Sequence, residues 1–455
     1  MHSTRDGNLG MVHNTTLLIC RGLVYCRAIG RHDGPTQVMG VNDLANMRRK
    51  EAAERLLSPA TVRERANRLF NLAVLGQLEH FSIDLLKLDA VIDVVVRVTR
   101  AGYADLSVPP HACWRYFEVG EFDRWGMLAS ARDWSSPAAL GRAAVDLAFI
   151  SVLLDGLAGP GWAYAEAATG ETFPRSEGLA IASLVMFAGG TFSTDPYDPF
   201  RVDARALAGL TIEELCDGLQ VSRSNTLVGL EARLPAINRF GQSLAFEPEV
   251  FSTETGARPG GLIDYVMRLG QGSISAANLM QLVLKPILSA SPGPYALGGV
   301  ALGDTWPHRR IVIGDDSDGL MPFHRTAQWL THSLVEPFVW ADLDVTELDG
   351  LTGLPDVWSG GLLIDMGLLK VRDPALHHIA HPIDSELVIE FRALTIALLD
   401  KIADGVRKRL GRAASTFPLT CVLEGGTVAA GRRIAREKRA DGAPALIIES
   451  DPALL

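Results

Sequence analysis

Three histidines, His377, His378 and His381, form the one cluster in this sequence with metal-ligand spacing. On a helix, His377 and His381 would present their rings to one cation. Pro374 and Pro382 bracket the cluster and no carboxylate stands at a matching spacing, so a short polar turn is the favoured reading and no metal is called for. The denser candidate is Leu351–Leu369, LTGLPDVWSGGLLIDMGLL, where Pro355, Gly360 and Gly361 punctuate two apolar runs. It reads as helix, tight turn, helix, with Asp356 in the turn. An acid there can cap the following helix by accepting its free N–H groups, and spacing alone favours that over chemistry. Other signatures are missing: no G-x-x-x-x-G-K-S/T, G-x-G-x-x-G, G-x-S-x-G or H-E-x-x-H occurs, so the nucleotide triphosphatase, dinucleotide, serine hydrolase and zincin classes lose their main support.

The elements that must position these residues are mostly helices. Ser58-Pro59 and Ser136-Pro137 each pair an N-cap side chain with a proline suited to the first helical turn, so a helix starts at each. After the second, Leu140, Ala144, Leu147, Ser151 and Leu154 recur at helical spacing until Gly156–Gly161 stops them. Leu85, Leu88, Ile92, Val95 and Thr99 mark another helix, and Leu387, Phe391, Leu394, Leu398 and Ile402 a long one from Ser385 to Gly405. Arg407-Lys408-Arg409 then suits the negative pole of that helix. Strand candidates are the short runs Arg310–Ile313, Leu419–Leu423 and Ala445–Ile448. The expected fold is mainly α, a multi-helix globular fold with at most a small sheet. Residues 1–45 read as a poorly ordered extension, 46–195 as an N-terminal helical region, 196–410 as the region carrying the site, and 411–455 as a C-terminal segment packing on the core. The turn-rich Thr191–Arg201 stretch divides the halves.

Composition narrows the function classes. The chain has 455 residues, 47% hydrophobic and 21% charged, which is the balance of a folded globular protein. Lys+Arg of 43 against Asp+Glu of 53 gives −10, a charge that repels a phosphate backbone, so nucleic acid is not an expected partner. Five scattered cysteines with no C-x-x-C suggest neither disulfides nor zinc, which fits a reducing cytoplasm. The longest charge-free stretches fall short of the ~18 apolar residues of a membrane span, and Leu17–Cys20 is too short for a signal peptide core. Neither membrane nor export is expected.

Several segments together resemble the uracil-catabolism family of the non-reductive pyrimidine degradation pathway: LLSPATVRERANRLFNLAVLGQLEHFSIDLLKLDAV, RSNTLVGLEARL, GDTW at Gly303–Trp306, PFHRTAQWLTHSLVEP, the Leu351–Leu369 segment, and FPLTCVLEGGTVAAGRRIAREKR. The resemblance runs from about Leu56 to Ile448. It implies a pathway that opens the pyrimidine ring as a ribosylated species and passes through ribosylurea toward urea. The order of segments is also similar to the queuosine-salvage N-glycosylase family, which cleaves a base–ribose bond on a helical fold. That similarity puts a catalytic acid on Asp356, an acid near Asp304, a basic stretch on Arg325-Thr326-Ala327-Gln328, and Glu390 and Arg392 in a conserved-type segment from Ser385 to Arg392. The uracil-catabolism pattern has Glu-Tyr-Arg-Asn-Gly-Gly where this chain has Asp356-Val357-Trp358-Ser359-Gly360-Gly361, a Lys in place of Arg325, and a Trp in place of Val428.

Taken together, the resemblances imply a metal- and cofactor-independent N-glycoside hydrolase acting on a small nucleoside- or nucleotide-derived substrate, ribosylurea or its 5′-phosphate. Asp356 would supply a carboxylate near the anomeric carbon, and Asp304 or Glu390 a proton if burial raises its pKa. Arg325 and Arg392 would meet a phosphate, with His324 and Gln328 beside them. The alternative is a non-catalytic helical partner of the ring-opening enzyme, marked by an exposed apolar patch instead of a polar pocket.

Overall fold

The computed structural model describes residues 16–20, 23–27, 38–39 and 41–449. The expected N-terminal extension, residues 1–45, therefore lies largely outside the described residues. Both Ser-Pro starts are realised. Ser58 Oγ accepts the Thr61 amide at 3.2 Å to open the Pro59–Val74 helix, and Ser136 Oγ accepts the Ala139 amide at 3.2 Å to open Pro137–Leu154. The next two periodic runs form Leu88–Gly102, entered through a short 3-10 turn at Leu85–Lys87, and Glu386–Leu410, capped by Ser385 and ended by Gly411 at φ 64°. The fold is mainly α, and its strands are runs of two to five residues joined into small two- or three-stranded pairings.

Pro137–Leu154 is apolar on nearly every face because it is a core helix: among the described residues it alone is long and apolar enough to cross a membrane, and most of it is buried. It packs along Arg325–Trp340. Gly141 permits the contact, since a Cβ there would meet the Ala341 Cβ at 2.5 Å. The helices run antiparallel, so the end of the first, Asp155, comes to the start of the second, Arg325. One hydrophobic core links residues on both sides of the Thr191–Arg201 stretch.

Three expectations are corrected. Leu419–Leu423 is not a strand: Leu419–Val422 is an α turn that passes into a π segment, Leu423–Thr427, whose Gly425 and Gly426 lie against Val95 and Thr99 of a neighbouring helix. Arg310–Ile313 is turn and loop, with the strand falling at Thr305–Pro307 instead. No helix precedes Asp356. Thr352 gives its amide and hydroxyl to Gln328, and Pro355 disfavours helical backbone at Leu354, so Leu351–Pro355 runs extended into the Val357–Asp365 helix. Of the Ala445–Ile448 candidate, Ile447–Ile448 does form a strand, parallel to Ala380–His381.

Candidate functional site

The residues singled out in the sequence divide into three groups. Asp304, Arg325 and Arg392 meet. Arg392 grips the Asp304 carboxylate with both terminal nitrogens, at 2.8 and 2.6 Å, across a sequence separation of 88. The same carboxylate accepts the Trp306 indole N–H at 2.8 Å and the Arg325 backbone N–H at 3.2 Å. The Arg392 guanidinium also lies 3.9 Å from the Phe323 ring centroid. Burial disfavours charge on Asp304, but the Arg392 cation and these donors outweigh it and hold the carboxyl down at about 2. This corrects two expected roles. Asp304 stays ionised and has no proton to donate, and Arg392 is occupied by Asp304 instead of waiting for a phosphate. The pair acts as a brace that fixes the start of the Arg325–Trp340 helix.

His324 and Gln328 belong to the same brace. His324 has left-handed backbone, φ 48°, a strained state for a non-glycine residue. Its imidazole Nε2 meets the Leu56 carbonyl at 2.9 Å, and burial lowers its pKa, leaving the ring neutral. Gln328 spends both ends of its amide on the protein: Oε1 accepts from Thr352, and Nε2 donates to the Phe323 carbonyl at 2.9 Å. Neither side chain is placed as a substrate ligand. Glu390 stands apart from Asp304. Its carboxylate accepts the His80 amide at 3.1 Å and faces His308 Nε2 at 3.6 Å, sharing no partner with Asp304, Arg325 or Asp356. The expectation that all four residues line one pocket therefore fails at Glu390, because positions 390 and 392 project from different sides of one helix. The histidine cluster resolves into loop contacts, with His377 and His381 each bonded to a backbone carbonyl.

Asp356 is the N-cap of Val357–Asp365. Its Oδ1 accepts the Trp358 and Ser359 amides, both at 2.8 Å, while Oδ2 takes no hydrogen bond among the described residues. The cap reading of this residue holds, and it leaves one carboxylate oxygen free. Around this helix start, Ser359 Oγ meets Thr427 Oγ1 of the π segment at 3.2 Å, the Arg432 guanidinium lies 5.6 Å from the Trp358 ring centre, and Gly431 lets its helix approach the Trp358 carbonyl, where a Cβ would sit at 2.1 Å.

Sequence reasoning missed the groups that connect Asp356 to Arg325. From the π segment, Glu424 reaches His111 Nδ1 at 2.6 Å; His111 packs on Trp329 at 4.8 Å between ring centroids, and Trp329 on Tyr116 at 6.1 Å. Tyr116 is buried, which raises its pKa, and it feels the charges of Asp155, Glu177, Arg432 and Arg325. Arg325 donates no side-chain hydrogen bond among the described residues and is drawn to Asp155 across the helix junction. Asp155 escaped notice because it opens the glycine-rich helix stop and reads as a breaker. The cysteines nearest this region, Cys113 and Cys421, are pushed up by burial to about 12, so neither supplies a thiolate.

A helical scaffold carrying carboxylates, a free guanidinium and aromatic rings between its helix ends defines a protein built to hold a small polar molecule. Residues 55–455 match the model of the family described as "Protein of unknown function (DUF1688)". "Protein urg3" of Schizosaccharomyces pombe is 34% identical over 417 residues, covering 89% of this chain and 99% of that protein. "Uracil catabolism protein 4" of Lachancea kluyveri is 33% identical over 432 residues, covering 87% and 97%. The chain belongs to this family, the uracil-catabolism family that its motifs resemble.

Proposed function

We propose that this protein acts in uracil catabolism as an N-glycoside hydrolase, cleaving ribosylurea or its 5′-phosphate to urea and the sugar. The observation that carries the reading is Asp356: one carboxylate oxygen is anchored by two helix amides and the other is unengaged, in an aromatic, arginine-bearing neighbourhood. Cleavage of an N-ribosyl bond passes through an oxocarbenium-like state, and a fixed carboxylate stabilises the positive charge that develops on the ring. Arg325, with no side-chain partner of its own, supplies the fork for a 5′-phosphate. Support for the pathway comes from the relative named a uracil catabolism protein. The donor for the leaving nitrogen is neither Asp304, which is locked as an anion, nor Glu390, which faces His308.

The competing reading, a non-catalytic partner of the ring-opening enzyme, draws on a groove of about 640 Å³ lined by Leu57, Leu284, Leu288, Val300 and Ala301. Incubating the purified protein with ribosylurea and with its 5′-phosphate, and assaying urea and reducing sugar, decides between the two. Urea release dependent on the protein supports the hydrolase; none from either compound leaves the partner reading.

A further inference from the structure

Resting on the hydrolase reading, we propose that Asp155 is the proton donor to the leaving nitrogen. Its position is chemically unusual. It follows immediately on the Pro137–Leu154 helix, at the negative pole of the dipole, where a carboxylate is disfavoured. One oxygen accepts the Gly156 amide at 2.9 Å, and Ser176 at the start of another helix also bonds the carboxyl. A residue wanted only to end this helix has no need of a carboxyl group, and the glycines that follow already stop it.

The charged groups facing Asp155 explain how its proton would be controlled. Burial raises its pKa, opposed by the Arg325 charge, by Ser176, by Gly156 and by Arg233. Arg233 is committed elsewhere, donating to the Leu154, Val228 and Leu157 carbonyls. Tyr116, the neutral phenol beside them, carries no charge to oppose ionisation or favour it. Arg325 is the cation free to move. A phosphate that captures Arg325 withdraws the main countercharge from Asp155, leaving burial and the helix dipole to favour its protonated form. Substrate binding and arming of the acid are then one event.

The reaction balances with water alone. The bond between C1′ and nitrogen breaks, its electron pair goes to the nitrogen, and that nitrogen takes the Asp155 proton. Water adds to C1′ and passes a proton to the Asp356 carboxylate, from which it returns to Asp155 through solvent. Acid and carboxylate are thus separate residues, as the two jobs require opposite protonation states.

Leaving-group dependence tests the assignment. A 4-nitrophenyl riboside 5′-phosphate departs as a stable phenolate and needs no proton, whereas ribosylurea 5′-phosphate does. Asp155→Asn should cut urea release ~100- to 10,000-fold, the usual share of a general acid, while cleaving the nitrophenyl compound within a few-fold of the parent. Asp356→Asn should lose both. The Asp155→Asn protein, nearly isosteric, should melt close to the parent, and Asp155→Glu should recover part of the urea release. Parental urea release by Asp155→Asn, or equal loss on both compounds, overturns the assignment while leaving the hydrolase reading in place. A parent protein that cleaves neither compound removes both.

Discussion

Replacing Asp356 by asparagine separates a cap from a catalyst. In the structure one oxygen, Oδ1, accepts both the Trp358 and the Ser359 amide at 2.8 Å. The asparagine carbonyl can occupy the same place and keep both bonds, and the half-buried site tolerates an amide of the same size. Loss of the carboxylate charge at the positive pole of the helix costs about 0.3–1 kcal/mol, so the variant should melt within a few degrees of the parent. Catalysis responds differently. The free Oδ2 becomes an uncharged NH2, which cannot stabilise a developing oxocarbenium; a barrier raised by ~4 kcal/mol corresponds to about a thousandfold loss at ~1.36 kcal/mol per decade. The assay is urea release from ribosylurea and its phosphate, with thermal melting run in parallel on the same preparation. A variant that melts like the parent and hydrolyses either compound at a comparable rate would show that Asp356 is only a cap, and the glycosidase reading would lose its central residue.

Asp304→Asn should destabilise the fold by about 3 kcal/mol or more, read by urea denaturation, because it leaves the Arg392 cation buried without its counterion. The carboxyl of Asp304 is depressed to about 2 from 3.8, so its contribution is present above pH ~4 and lost as pH falls toward 2; the parent's stability should drop by about 2 kcal/mol across that window and the Asn variant should lack this share. Gly141→Val should cost roughly 1–3 kcal/mol in denaturant melts by forcing two helices apart at Ala341. Cys113 and Cys421, held near 12, should resist alkylation at pH 8 in the native protein and react on unfolding, as peptide mapping would show. Duplex DNA should not be retained in a gel shift at physiological salt by a chain of charge −10.

What could be read from the sequence follows the range of the forces involved. Helix starts at Ser58 and Ser136 were legible because the capping side chain and the amide it satisfies are three residues apart. The cap at Asp356 was legible for the same reason, although the helix expected before it was not, since its absence depends on Gln328 reaching Thr352 from 24 residues away. The apolar Leu419–Leu423 run imitates a strand, and only packing against Val95 and Thr99 makes it helical. Similarity to known families flagged Asp304 and Arg392 singly, as two ligands for a substrate; that they are ligands for each other is a fact of tertiary structure. Asp155 carried no signal at all, because its neighbours Arg325, Ser176 and Tyr116 arrive from three other parts of the chain.

The π segment Leu423–Thr427 has a consequence for how this region tolerates length changes. A π turn accommodates one residue more than an α turn, and the phase of the helix shifts across it. Glu424 points to His111 on one side of that shift, and Thr427 meets Ser359 on the other. Deleting a single residue here would let the segment relax to regular α-helix without disturbing any hydrophobic position by type, yet it would rotate everything after it by about 100° relative to everything before. The carboxylate contact and the hydroxyl contact could not then both survive. Point substitutions can be absorbed one at a time in this stretch, whereas a one-residue indel is an all-or-none event, so the length of this segment is held more tightly than its spelling.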